Sequence, residues 1–288
     1  MTKKIPIRQI STTHQELLSS ERFNIRKIQD ILGGQDLVQD IHRHDFFFIL
    51  ALQKGTGSHE IDFMSYSVVD NSVFMLRPGQ VHQLALKAGC IGYLLEFNIG
   101  FYHPKDKLSV QRLRKATNKV YCRLETGRFE KLHNILTNIF LEFSSREDGY
   151  PEIIKANLDI FFIEFTRQSQ NPKGQSTTVN AYTQDRFEEF LELMENNITT
   201  HKLVSQYIDL MNLSSYQLNE ITKSTVDKTA SELINEHIIL EAKRYLQATP
   251  SQIKDIADLL GYEDVSYFIR FFKKHTGYSP EAFRHNRK

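Results

Sequence analysis

The sequence predicts an α+β chain in two parts. The first is a small β-barrel or sandwich followed by helices; the second is all-helical and carries two helix-turn-helix units. Three observations predict this. Between residues 46 and 97, short apolar or alternating runs are separated by turn residues at close intervals, as in compact all-β architectures. From residue 129 onward the apolar spacing changes to that of helices. Between the two parts, Gln168 to Asn180 is polar, contains Pro172 and Gly174, and has no apolar periodicity. That is the composition of a linker. A chain of 288 residues also suits two domains of roughly 100–200 residues each. The expected divisions are 1–167, a linker over 168–182, and 183–288.

In the first part, Phe46 to Leu52 is a continuous apolar run and Gly55-Thr56-Gly57 a turn. Ser58 to Phe63 alternates, and Ser72 to Leu76 is a further short strand. Arg77-Pro78-Gly79 turns again, and Val81 to Leu86 and Ile91 to Phe97 follow. Successive strand residues face opposite sides, so Phe46 and Phe48 share one face and Phe47 takes the other. Two amphipathic helices come next. Phe129 to Phe143 places Leu132, Ile135, Leu136, Ile139, Phe140 and Phe143 on one stripe. Tyr150-Pro151 opens a second helix with Ile154, Leu158, Phe161, Phe162 and Phe165 apolar. Stripes of this size need cover. At least one is expected to pack on the strands, and the helical pair is the expected contact of a homodimer.

The helical part is most specific near its end. Ile253, Ile256, Ala257 and Leu260 form one buried helical face. Gly261 stands where a chain leaving a helix needs positive φ, and Asp264 can cap the next helix. There Phe268 and Phe272 face inward, while Ser266, Ile269, Arg270 and Lys273 fall on the other side. Gly277 can end this helix, and Ser279-Pro280 can open another. A weaker copy lies upstream: Leu203, Tyr207, Leu210 and Met211 give an apolar face, and Asn212 replaces the turn glycine. Ser214 or Ser215 can cap the helix that carries Leu218 in the place of Phe268. Ala230 to Gln247, with Ile234, Ile239, Ala242 and Leu246 on one face, reads as a stiff connector. A helix-turn-helix projects its second helix into the major groove of DNA. Two on one connector can reach successive groove faces about 34–36 Å apart.

The segment from about Arg186 to Arg284 resembles the DNA-binding domain of the AraC/XylS family of transcription regulators. The match is carried by Ile256-Ala257, Gly261-Tyr262, Ser266-Tyr267-Phe268, Arg270, Phe272-Lys273-Lys274, Gly277, Ser279-Pro280 and Phe283-Arg284, with Asn235 and Ala242-Lys243 on the connector. The resemblance implies a regulator of transcription that binds double-stranded DNA. In the second unit it places Val265, Ser266, Ile269 and Arg270 at base edges and Lys273 on phosphate. Tyr216, Asn219 and Glu220, followed by Lys223, hold the equivalent places in the first. The family normally has an arginine where this chain has Glu220, and an aromatic with a glycine beyond where it has Thr222 and Asp227. An acid in a reading helix is repelled by phosphate, though it can accept from cytosine N4. The second unit is therefore expected to dominate affinity.

His42-Arg43-His44, together with Leu76-Arg77-Pro78-Gly79-Gln80-Val81-His82, resembles the two motifs of cupin barrels, a domain that many regulators of this family carry at the amino end. A cupin metal site looks like two histidines, a glutamate a few residues on, and a third histidine on the second motif. Here the glutamate position falls in Phe46-Phe47-Phe48. Three histidines alone can hold zinc, but the expectation is no metal and no cofactor. The favoured arrangement is a small-molecule effector site made by His44, Phe46, Phe48 and His82.

Other features narrow the function. The net charge of +1 provides no global basic field. The favourable charge is local, with Arg270, Lys273, Lys274, Arg284, Arg287 and Lys288 crowded at the end. No apolar run approaches a membrane span, and Met1 to Arg8 is not followed by a signal-like apolar segment. Cys90 and Cys122 make no disulfide framework or metal pattern. The cytoplasm is the expected compartment, with RNA polymerase a candidate partner. No Walker loop, Gly-x-Ser-x-Gly or His-Glu-x-x-His is present. Glu188-Glu189 reads as a solvated pair, so no enzyme is expected. The alternatives are a metal-dependent cupin enzyme fused to a DNA-binding module, and a regulator without ligand whose barrel only dimerises.

Overall fold

The computed structural model describes residues 5–10, 22–104, 106–169 and 181–285. The chain divides into two compact units, 6–174 and 175–288, with the first five residues grouped with the latter. Most of the expected linker, and Arg287 and Lys288, lie outside the described residues.

The first unit runs β1 (Ile7–Arg8), β2 (Phe23–Lys27), α1 (Ile28–Leu32), β3 (Leu37–His44), β4 (Phe47–Lys54), β5 (Gly57–Ile61), β6 (Met64–Val68), β7 (Ser72–Leu76), β8 (Val81–Leu86), β9 (Ile91–Phe97), α2 (Lys107–Asn118), β10 (Tyr121–Arg123), α3 (Thr126–Ser145) and α4 (Tyr150–Ser169). The strands form two separate five-stranded sheets, ordered β1-β3-β8-β5-β6 and β10-β7-β4-β9-β2. A small barrel or sandwich was expected, and among the described strands the two sheets stand separately, as in a sandwich. The residues of β4 show why. Phe48, Leu50 and Leu52 face the other sheet and share a core with Ile61, Val68, Phe74, Leu84 and Leu86. Ile49 and Ala51 point the opposite way and pack with Val73, Met75 and Leu95 under the helices. A barrel wall needs one apolar face, whereas this sheet is apolar on both and is covered on both.

The helical stripes are consumed here. Leu132, Leu136 and Ile139 of α3 and Ile154, Leu158, Phe161, Phe162 and Phe165 of α4 are buried in the core under the second sheet. The stripes read as a dimer contact therefore serve the fold. The expected strand Ser58 to Phe63 also ends early. The chain turns at Asp62 (φ 46°) and Phe63 (φ 71°) into β6, a left-handed pair that suits a tight hairpin. The Asp62 carboxylate holds the turn, accepting from Gln80 Nε2 at 2.8 Å and Val81 N at 3.2 Å.

The second unit comprises α5 (Ala181–Asn197), α6 (Val204–Met211), α7 (Ser215–Val226), α8 (Ala230–Ala248), α9 (Ile253–Leu259), α10 (Val265–Thr276) and α11 (Pro280–His285). One core joins Phe190, Met194, Tyr207, Met211, Leu218, Ile234, Ile238, Ala242, Leu246, Ile256, Leu260, Phe268 and Phe272. Two residues assigned to the apolar face of α6 are solvent-facing instead: Leu203 is 63% and Leu210 46% exposed. Leu203 is the residue before the helix, so it lies outside the helical period that buries Tyr207 and Met211.

Candidate nucleic-acid interface and ligand site

Each helix-turn-helix is built by local chemistry. In the second, α9 leads into Gly261 at φ 72°. A Cβ there would lie 1.8 Å from the Thr199 carbonyl oxygen, so both the conformation and the close approach require glycine. The Asp264 side chain accepts from Ser266 N at 2.7 Å and caps α10. Gly277, at φ 80°, ends it. In the first unit Asn212 takes the left-handed position at φ 50°. Ser214, rather than Ser215, caps α7 in a reciprocal box with Gln217. Asp227 adopts φ 56° at the end of α7, where the resemblance implies a glycine. The Arg186 guanidinium donates to the Met211 carbonyl, tying α5 to the first turn.

The reading helices present different faces. On α10, Ser266, Arg270, Lys273 and Lys274 are exposed, while Phe268 and Phe272 are fully buried. Val265 and Ile269 are half-buried and pack against the domain core, so only their outer edges are open. Arg270 lies 3.8 Å from Asp264, and both side chains are largely exposed. Such a pair is weak in water and leaves the guanidinium available. On α7, Tyr216 is 74% exposed, and Glu220 and Lys223 are exposed. Asn219 differs from expectation. Its Nδ2 donates to the Ser215 carbonyl at 3.0 Å, and its Oδ1 accepts the Ala230 N–H at 3.0 Å. That amide is spent holding α7 to the start of α8.

Two further charges are also spent within the fold. Arg284 donates to the carbonyls of Leu246 (3.2 Å) and Ser251 (2.6 Å), satisfying carbonyls at and beyond the end of α8. It is not a free phosphate contact. Glu188 is buried rather than solvated and accepts from Gln184 at 2.9 Å. Glu189 pairs with Arg186 at 2.5 Å.

The first unit gathers four histidines. His42 and His44 lie two apart on β3, His82 on the neighbouring β8, and His59 on β5 beyond it. His42 pairs with His82 across the ladder. All four are buried. His44 Nε2 stands 2.7 Å from His82 Nε2, and His82 Nδ1 stands 2.8 Å from His59 Nε2. The His42 Nδ1–H donates to the Asp40 carbonyl at 2.6 Å. Phe48 stacks on His44 at 5.4 Å, Phe46 lies 4.3 Å from it, and Phe74 packs on His59 at 4.7 Å. Burial lowers the pKa of all four, and repulsion from neighbouring histidines adds to it for three: His44 and His59 fall to about 3, and His82 well below its ordinary value. All are neutral imidazoles at pH 7.

The four residues expected to meet an effector, His44, Phe46, Phe48 and His82, are thus brought together between the sheets. Sequence reasoning missed His59. Its signal was present in the alternation of β5, where His59 falls on the same face as the buried Ile61.

Tandem, capped helix-turn-helix units in one chain with a sheet-rich unit that holds a buried polar cluster define a DNA-binding regulator with a ligand-binding domain. Comparison with known proteins agrees. Residues 207–286 match the family model of a helix-turn-helix domain, and residues 33–103 that of the AraC-like ligand binding domain. The chain belongs to the AraC family of transcription regulators. It is 22% identical over 263 residues to the HTH-type transcriptional regulator YfiF of Bacillus subtilis, covering 85% of this chain and 78% of that protein. It is 23% identical over 249 residues to the HTH-type transcriptional activator RhaS of Pectobacterium atrosepticum, covering 85% and 87%. Among solved structures, ToxT of Vibrio cholerae aligns over 92% of this chain and 98% of its own, with 14% identity and a TM-score of 0.41. Among the described residues no helix is long and apolar enough to cross a membrane.

Proposed function

We propose that the chain is a sequence-specific regulator whose second helix-turn-helix supplies most of the affinity for DNA and whose sheet-rich unit controls it through a small ligand. The observation that carries this reading is the face of α10. Ser266, Arg270, Lys273 and Lys274 project from a helix capped at both ends and anchored by Phe268 and Phe272. Arg270 reads guanine O6 and N7, the outer edge of Ile269 meets a thymine methyl, and Lys273 holds phosphate. Ser266 and the outer edge of Val265 complete this contact. In the first unit Tyr216 and Lys223 face the backbone, and Glu220 selects cytosine or weakens the contact. Asn219 leaves the reading set because its amide is occupied.

The effector site is the layer holding His44, Phe46, Phe48 and His82. Self-association of this unit is supported by Ile153 and Ile160, exposed two turns apart on α4, rather than by the buried stripes. The two cysteines are free and buried, in keeping with a cytoplasmic protein. Selection of bound fragments from a genomic or random duplex library, followed by mobility shift on the selected site, tests the central reading. Enrichment of one motif whose binding is lost in Arg270→Ala supports it; retention of no sequence, even in dilute salt, overturns it.

A further inference from the structure

The histidine layer contains more than a generic pocket requires. His42 Nε2 is buried and has no hydrogen-bond partner, although its ring is held firmly through Nδ1 by the Asp40 carbonyl. An imidazole that donates from Nδ1 to a carbonyl carries a bare lone pair on Nε2. His82 differs in having a ring partner at each nitrogen. Its Nδ1 faces His59 Nε2, while its Nε2 faces His44 Nε2. One ligand atom from each of His42, His44 and His82 lies within 4.8 Å of the others. In a tetrahedral zinc site, nitrogens at ~2.0–2.1 Å from the ion stand roughly 3.3 Å apart, which modest ring rotations reach. Bound histidines characteristically give their second ring N–H to an acceptor that fixes tautomer and orientation. The Asp40 carbonyl does this for His42, and His59 is placed to do it for His82. The carboxylate position of the cupin pattern is Phe48, so the donor set is three neutral imidazoles. Imidazole donors suit late first-row divalent ions such as zinc.

We infer that His42, His44 and His82 bind a divalent transition-metal ion of the zinc class through Nε2, that His59 is the positioning residue for His82, and that this ion is the ligand to which the sheet-rich unit responds. The last clause rests on the regulatory reading above; the first two do not.

Full-length, metal-stripped protein is titrated with Co²⁺ alone and followed by its visible absorption, and with Zn²⁺ followed by calorimetry and by metal analysis after dialysis. One ion per chain with a four- or five-coordinate cobalt spectrum is expected. His42→Phe, with its folding checked by circular dichroism, should lose the spectrum. His59→Phe should weaken affinity about 10–100-fold, whereas His59→Gln, which keeps an acceptor toward His82, should retain most of it. A protein that binds no Co²⁺, or whose binding is unchanged in His42→Phe, overturns the site. Equal loss in His59→Phe and His59→Gln overturns the positioning role. The selected duplex then separates sensing from binding. One equivalent of Zn²⁺ should change the dissociation constant about fivefold or more, and an unchanged constant in protein that holds the ion overturns the sensing role alone.

Discussion

Arg270 and Lys273 sit one turn apart on α10 and have separable consequences. Replacing Arg270 with alanine should cost about 1–3 kcal/mol on the correct site and relax preference at one base pair. Replacing Lys273 should weaken all duplexes alike and reduce the salt slope by about one; competition mobility shifts measure both. The turn glycines give a second residue-scale prediction. Gly261 and Gly277 both have positive φ, but a Cβ at Gly277 meets nothing within 4 Å, while at Gly261 it strikes the Thr199 carbonyl oxygen. Gly277→Ala should cost roughly 1–2 kcal/mol for the left-handed conformation, and Gly261→Ala clearly more. Urea unfolding followed by helical circular dichroism distinguishes them. At this scale the sequence was most legible where the cause was local. Asp264, Asn212 and Gly277 each act on atoms within a few positions, and so does the positive φ of Gly261, although its close approach to Thr199 is tertiary. Asn219 and Arg284 misled because their partners, Ala230 and the carbonyls of Leu246 and Ser251, are set by tertiary packing, as is the burial of Glu188. His59 escaped notice because the alternation of Ser58 to Phe63 marks its strand but not the pairing with β8 that brings it beside His82.

At the scale of elements, two junctions carry measurable energy. Thr229 caps α8 and exchanges bonds with Glu232. Thr229→Ala should cost about 1 kcal/mol in chemical unfolding. In the second sheet Arg26 reaches the buried Glu96 at 3.1 Å. Burial raises the Glu96 pKa despite the guanidinium, so desolvation outweighs pairing. The folded chain then holds this proton more readily than the unfolded chain. The penalty is absent below the ordinary value of 4.5 and grows as the pH rises through the raised folded value. Glu96→Gln should therefore stabilise the sheet unit at pH 7 and have no effect near pH 4, as read by thermal melts at both pH values. Arg26→Ala should destabilise by about 2 kcal/mol, less than for a fully buried pair, because Arg26 is partly solvated. Strands β4, β7, β8 and β9 were legible because each is a bounded apolar or alternating run. The hairpin at Asp62-Phe63 was not, since neither residue is glycine and only the bonds from Gln80 and Val81 reveal why the chain turns there.

For the whole molecule, the net charge of +1 makes DNA affinity depend on a few placed cations. With Lys223, Arg270, Lys273 and Lys274 as the exposed set, the logarithm of the binding constant should fall with that of salt at a slope of about −3 to −4 per chain. Anisotropy titrations between ~50 and 200 mM salt measure it, and a slope near −8 would point to two chains on the site. The division into a sheet-rich and a helical unit was legible from periodicity alone. The choice between barrel and sandwich was not, because the continuous apolar run of β4 does not say that one face meets the other sheet and the other lies under α3 and α4.

Helix α8, 19 residues long, spans about 28 Å and packs against both helix-turn-helix units. On the proposed reading it should act as a ruler. A promoter would then exchange one base for another and lose affinity by degrees. Gaining or dropping a base between segments contacted by the two units should move one of them out of reach. Operators for such a protein should therefore drift across genomes by substitution while their internal spacing stays constant.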